Sequence, residues 1–340
     1  MIISAVRLDS DCAAVVFQPA FRRVRATMTT AFVFPGQGSQ AVGMGKSLAD
    51  NFAAARATFD EVDAALGEKL TQTMWEGPAD KLTLTENTQP ALLAVSTAAL
   101  RVLEAEAGID LVRDVAFLAG HSLGEYSAHA AAGSLALADA ARLVRIRGRA
   151  MQQAVPVGVG AMAALLGLDE DAAKAVASEA AQGEVCEAAN DNAPGQVVVS
   201  GHKSAVERAV EIAKGRGSRA MMLPVSAPFH CALMKPAADV MAEALAKVKV
   251  ATPKVPVVAN VTAAPVKDPA EIVKLLVAQV TGTVRWRQSV LYLAAHGVDR
   301  IVEVGAGKVL TGLVKRIAKE AKTATVGTAD DVLAFKSAKA

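Results

Sequence analysis

Gly120-His121-Ser122-Leu123-Gly124 sets a serine between small residues, directly after the apolar run 115–119 and before helix-permitting Glu125-Tyr126-Ser127-Ala128. A strand that ends in G-x-S-x-G and turns sharply into a helix holds its serine hydroxyl at the edge of a sheet, as a nucleophile elbow. The glycines are needed because such a backbone is strained and closely packed. The Leu123 N–H and the N-terminus of the following helix then lie beside the hydroxyl, and both favour a developing oxyanion. An ordinary turn of this composition is the alternative on the segment alone.

A serine nucleophile at neutral pH needs a base, and the chain has five histidines, at 121, 129, 202, 230 and 296. His230 fits best. It closes Ser226-Ala227-Pro228-Phe229-His230 after an expected strand, downstream of the serine, with Pro228 stiffening the loop. A capped, partly buried loop histidine is the plainer reading of the same residue. His121 adjoins the serine, but its side chain is expected to point away from Ser122 and to support the elbow.

The segment 137–153 reads as an amphipathic helix with Leu137, Ala140, Ala141, Leu143, Val144, Gly148, Ala150 and Met151 on one apolar arc. Arg147 falls in the middle of that arc, while Arg142, Arg145 and Arg149 fall opposite and are expected to be solvated. An inward guanidinium is costly without an anion. That anion is either a protein carboxylate or a ligand carboxylate, for which the planar fork of arginine is suited. Two loops complete the set. Phe34-Pro35-Gly36-Gln37-Gly38-Ser39-Gln40 lacks the lysine of a phosphate-binding loop, and its glycines could let a backbone N–H approach an oxyanion. Asn190-Asp191-Asn192-Ala193-Pro194-Gly195 is either the polar wall of a cleft, with Asn192 facing it, or simply a turn before a strand.

The elements that must position these residues alternate as short β-type runs and amphipathic helices, an α/β pattern whose sites lie where strands run into loops. Composition changes after Ala154, with a flexible break at Pro156-Val157-Gly158-Val159-Gly160. From there to about residue 223 the chain reads as strand, helix, strand, helix, strand, with an extra strand near Val185, an inserted subdomain of ferredoxin-like kind. The expected division is residues 28–153 and 227–318 in a large subdomain, 154–226 in a small one, and a peripheral tail over 319–340. Residues 1–27 carry Arg22, Arg23 and Arg25, and their longest apolar run, 13–17, is too short for a signal-peptide core. They are expected to stand outside the core, with Met28 a candidate start.

Lys plus Arg number 36 against 34 Asp plus Glu in 340 residues, a formal charge of +2 that is too balanced for a nucleic-acid or membrane surface. Three cysteines without paired spacing argue against disulfides and zinc and make a reducing compartment, the cytoplasm, the default. A monomer is likewise the default expectation.

Taken together, the motifs resemble the malonyl-CoA:acyl carrier protein transacylases of fatty-acid synthesis and the related acyltransferase domains of polyketide synthases. The resemblance covers nearly all of 30–317. It is carried by 34–40, by 120–126, by Arg147-Gly148-Arg149-Ala150-Met151-Gln152, by Pro194-Gly195-Gln196-Val197-Val198, by Phe229-His230-Cys231-Ala232-Leu233-Met234-Lys235-Pro236, and by Gly307-Lys308-Val309-Leu310-Thr311-Gly312-Leu313. It implies an α/β-hydrolase-like large subdomain with an inserted ferredoxin-like small one. It also implies Ser122 as the acylated nucleophile, His230 as its base, Arg147 gripping the malonyl carboxylate, and the N–H groups of Gln37 and Leu123 as oxyanion hole. Gln279 matches the family glutamine near the site, and backbone carbonyls rather than a triad acid would orient the histidine. Substrates would be malonyl-CoA and phosphopantetheinylated acyl carrier protein, with no metal or redox cofactor. Thr283 and Ala306 depart from family prolines, and Phe229 stands where some members have serine. The competing readings are a polyketide-type trans-acting acyltransferase, a serine thioesterase or esterase, and an inactive carrier-docking module.

Overall fold

The computed structural model describes residues 29–225 and 227–339. The expectations for residues 1–28, and Ser226, lie outside them. Parallel strands covered on both faces are near-continuous apolar runs, and Thr30–Phe34 (β1) is buried at every position. Phe117–Gly120 (β2) pairs with it in parallel, Phe34 opposite Gly120. The other strands, in chain order, are Gly160–Leu166 (β3), Cys186–Ala193 (β4), Gln196–His202 (β5), Arg219–Met222 (β6), Val257–Ala259 (β7), Ala264–Val266 (β8), Arg300–Val304 (β9) and Lys322–Val326 (β10).

These strands form two sheets. The larger has the order β10-β9-β1-β2-β7-β8. It is parallel except that β8 returns antiparallel on β7. In such a sheet, ligands bind beyond the carboxyl ends of the strands. The loop after Phe34, the elbow after Gly120 and the turn after Ala259 all leave the sheet at that end.

The smaller sheet, β4-β5-β3-β6, is antiparallel throughout. Period-two alternation divides its side chains between two cores. Ala163, Leu165, Val197 and Val199 face the helices Glu170–Ala181 and Lys203–Gly215. Met162, Ala164 and Val198 join the core of the larger sheet instead. The order strand, helix, strand, strand, helix, strand is that of a ferredoxin-like unit. The fold is therefore an α/β one, a hydrolase-like large sheet with a ferredoxin-like insertion, as expected.

Two local expectations are corrected. The apolar run at 115–119 does not begin as strand, because Val115 caps the short helix Leu111–Asp114, whose start is held by the Asp110 side chain. The tail 319–340 is not peripheral: Lys322–Val326 pairs in parallel with β9 as the edge of the large sheet. The helix Ala329–Lys339 then buries Val332 and Phe335. Only Val326 of β10 is fully buried, so backbone pairing rather than an apolar pattern sets that strand.

The helix Gly124–Ala131 runs back from the elbow and carries His129 into the interior, fully buried. Among the described residues neither of its ring nitrogens has a hydrogen-bond partner. Burial pushes its pKa from 6.5 down to about 3. The folded chain thus refuses a proton that the unfolded chain accepts below about pH 6.5, so this histidine subtracts stability progressively as pH falls from there toward 3. Measured as urea unfolding at pH 7, 6 and 5, His129→Leu should gain on the parent by about 1.4 kcal/mol for each unit below about 6.5. A stability difference constant across that range would contradict this account of His129.

Candidate active site

Ser122 sits between β2 and the helix Gly124–Ala131 with φ at +52°, a left-handed conformation that a side chain makes costly. The surroundings hold it there. Its N–H donates to Asn260 Oδ1 at 2.8 Å, and its carbonyl accepts from Gln279 Nε2 at 2.9 Å. A Cβ on Gly124 would stand 2.2 Å from the Phe34 carbonyl oxygen, so the turn can be this close to β1 only with glycine. Leu123 precedes the first turn of the helix, and Gln37 lines the same cavity from the loop after β1. No acceptor among the described residues takes the backbone N–H of either.

His230 Nε2 lies 2.8 Å from Ser122 Oγ, and its Nδ1 lies 2.9 Å from the Gln279 carbonyl oxygen. A carbonyl only accepts, so Nδ1 carries the proton and Nε2 presents its lone pair to the serine hydroxyl. Burial, with the charge of Arg147 adding to it, pushes the His230 pKa down to about 3, against a smaller upward pull from the Gln279 carbonyl. The imidazole is thus neutral at pH 7, the state that can receive a proton.

Arg147 is as buried as the amphipathic pattern of Leu137–Gln153 requires. Gly148 makes this possible, since a Cβ there would meet Glu86 Cα at 2.6 Å, so the helix can lie against the start of Thr85–Ala107. The guanidinium donates to Gln89 Oε1 at 2.8 Å, to Gln279 Oε1 at 2.8 Å and to Ser122 Oγ at 3.1 Å. The ring of Tyr126 lies 5.7 Å away. All three acceptors are neutral, and Nε has no partner among the described residues. Burial lowers the Arg147 pKa while Tyr126 and Glu125 pull it back up. Arg145 corrects the expectation that it is solvated: it is buried, donating to Asn87 and paired with Glu68. Helical phase assigned its face correctly but could not show that other elements cover that face.

Gln37, His121, Ser122, Leu123, Arg147, Asn192 and His230 all line one cavity of about 220 Å³, with Met151, Met162, Val198, Leu223 and Phe229 as its apolar wall. Gln279 stands behind it, on Pro269–Thr281. His121 does turn from Ser122: its Nε2 donates to Asn192 Oδ1 at 2.8 Å, tying the elbow to β4. Register shifts in β4 around Ala188–Asn190 and Asp191–Ala193 mark bulges, which re-aim side chains there. Thr283, a departure from the family proline, donates to the Ala188 carbonyl at 2.6 Å, a bond proline could not make.

Three residues of this site were not singled out from sequence. Gln89 precedes Pro90 in an otherwise helical run, and Asn260 follows β7, positions with no distinguishing local pattern. Glu125 directly follows the elbow, and a carboxylate in the first turn of a helix reads as an ordinary dipole partner. Instead it is buried, its pKa pushed up to about 7 by burial against the hydrogen bonds from Gln279 and Asn260.

Residues 31–332 match the acyl transferase domain family. The chain is 51% identical over 288 residues to the malonyl CoA-acyl carrier protein transacylase of Salmonella typhimurium, covering 84% of this chain and 92% of that one. It is 47% identical over 304 residues to the protein of the same name from Bacillus subtilis, covering 89% and 94%. Among solved structures, an acyl-carrier-protein S-malonyltransferase from Bartonella henselae superimposes with a TM-score of 0.89 at 55% identity, over 92% of this chain and 99% of that one. A malonyl-transacylase in complex with a type II polyketide acyl-carrier protein superimposes with a TM-score of 0.88 at 43% identity, over 91% and 99%.

The burial of His230 has a direct spectroscopic consequence. In nitrogen NMR of histidine-labelled protein, the His230 ring should remain neutral, with its proton on Nδ1, from pH 8 down to about 5. A midpoint near the ordinary histidine value would show that the imidazole is hydrated and the folded environment different from this one.

Proposed function

This chain belongs to the acyl transferase domain family, and we propose that it moves malonyl from malonyl-CoA to the phosphopantetheine thiol of acyl carrier protein through a malonyl ester of Ser122. One observation carries the reading. The Ser122–His230 pair shares its cavity with a buried guanidinium whose hydrogen-bond partners among the described residues are all neutral. A substrate carboxylate supplies the missing anion, and the bond from Arg147 to Ser122 Oγ sets the distance between anchor and nucleophile.

In the first half-reaction Ser122 Oγ attacks the thioester carbon while its proton passes to His230 Nε2. The negative charge gathers on the former carbonyl oxygen, where the N–H groups of Gln37 and Leu123 receive it, each such donor typically contributing about 3 kcal/mol. The carbon–sulfur bond breaks, the His230 proton goes to the CoA sulfur, and malonyl remains as a serine ester. In the second half-reaction His230 takes the proton of the carrier thiol, the sulfur attacks the ester, and the proton returns to Ser122 Oγ. Water must not compete as acceptor, and the apolar wall of Met162, Val198, Leu223 and Phe229 supports that.

A serine thioesterase with a triad acid is not favoured, because the partner of His230 Nδ1 is a backbone carbonyl. A carrier from polyketide assembly would call on the same chemistry; fatty-acid synthesis is the pathway we assign. The reading includes a cytoplasmic location, supported by the unpaired cysteine spacing of the chain, with a monomer and no resident cofactor as its default terms.

Labelled malonyl-CoA, quenched in acid, should leave a covalent label on the parent protein and none on Ser122→Ala. Arg147→Ala should lower malonyl transfer by about a hundred-fold or more while sparing or improving acetyl transfer, since only malonyl offers the carboxylate. Equal losses for the two acyl groups would return Arg147 to a purely structural role.

A further inference from the structure

Glu125 is an ionisable side chain in the site that the transfer chemistry leaves unused. It does not line the cavity, yet it is buried, and among the described residues its Oε1 has no hydrogen-bond partner. Burying a carboxylate with half its oxygens unpaired costs stability, and an apolar side chain of similar length would fill the space without that cost. Its value therefore lies in what the other oxygen does.

Glu125 Oε2 accepts from Gln279 Nε2 at 2.7 Å and from the Asn260 N–H at 3.0 Å. The two ends of a glutamine amide are nearly the same shape, so neighbouring donors and acceptors decide which way it faces. The Nε2 end of Gln279 meets three acceptors: Glu125 Oε2, the Ser122 carbonyl at 2.9 Å and Asn260 Oδ1 at 3.4 Å. The Glu125 oxygen is the nearest of the three. The Oε1 end meets the Arg147 guanidinium. Turned end for end, the amide would set an oxygen against three acceptors and an NH₂ group against a cation.

We infer that Glu125 is a positioning residue for acyl selection: it fixes the end of the Gln279 amide that faces Arg147, and so holds the guanidinium where a substrate carboxylate meets it. The inference rests on the reading of Arg147 as the carboxylate anchor. Asn260 steadies the arrangement from the other side, donating from Nδ2 to the Gly120 carbonyl at 2.6 Å so that its Oδ1 stays toward the Ser122 N–H. A proton on the unpartnered Oε1 would leave Oε2 still an acceptor, so the orienting role survives neutralisation of the acid.

The test measures malonyl and acetyl transfer side by side in Glu125→Met, Glu125→Gln and Arg147→Ala, with thermal unfolding to confirm that each is folded. Glu125→Met should raise KM for malonyl-CoA about ten-fold or more and leave acetyl transfer within about three-fold of the parent. Glu125→Gln keeps an acceptor oxygen but can itself turn, so it should lose about three- to five-fold of the malonyl preference; it decides the matter if the methionine variant does not fold. Equal losses for both acyl groups, or an unchanged malonyl preference in a folded variant, overturn the inference. If Arg147→Ala keeps its malonyl preference, the anchor reading itself fails. If Arg147→Ala loses that preference while both Glu125 variants keep it, only the role of Glu125 fails.

Discussion

A buried guanidinium with no carboxylate bonded to it among the described residues is the constraint on which the rest of this site depends. Arg147 lies at the centre of the apolar face of Leu137–Gln153, and its three acceptors are two glutamine oxygens and a serine hydroxyl. Neutral acceptors satisfy N–H groups but do not discharge the cation. The cavity therefore carries a standing demand for a small anion at one fixed place. Much of the surrounding architecture serves to keep that demand unmet by the protein itself. Gly148 brings the helix against Thr85–Ala107 so that Gln89 can reach the guanidinium, and Glu125, whose charge is felt at Arg147, is bonded to Gln279 instead.

The nucleophile and base are likewise held in conformations they would not choose. Ser122 and His230 both have positive φ, at +52° and +60°. Such strain persists only where the surroundings over-determine it. Around Ser122 this is done by Asn260, Gln279 and the close pass of Gly124 over β1; around His230, by the Gln279 carbonyl and by the turn in which Cys231 Sγ donates to the Pro228 carbonyl at 3.1 Å. The small sheet adds the roof: Met162 and Val198 face the cavity, and the bond from His121 to Asn192 ties that sheet to the elbow.

How much of this was legible in the chain depended on the range of the signal. The elbow, the inward arginine and the loop histidine were readable because each rests on a local pattern, a turn motif, a helical phase or a position after a strand. Gln89 and Asn260 were not, since what makes them part of the site is contact across 58 and 138 positions of sequence. Arg145 shows the limit of helical phase, which gives a direction but not what lies in that direction. The tail shows the limit of apolar periodicity, because β10 is built on pairing to β9 with one buried side chain. The ferredoxin-like insertion was traceable because its helices and strands keep their separate periods, while the bulges of β4 that aim Asn190 and Asn192 left no mark.

Gln279 is shared in a way that binds two properties of the enzyme into one. Its main-chain oxygen orients the histidine, and its side chain, at the last turn of Pro269–Thr281, grips the arginine and braces the serine. Any drift of that turn moves reactivity and acyl choice in the same stroke. A lineage seeking a new acyl group could not shift this stretch of backbone for one purpose without blunting the other. Change is cheaper in the apolar wall, where a side chain can shrink or grow while that backbone stays still.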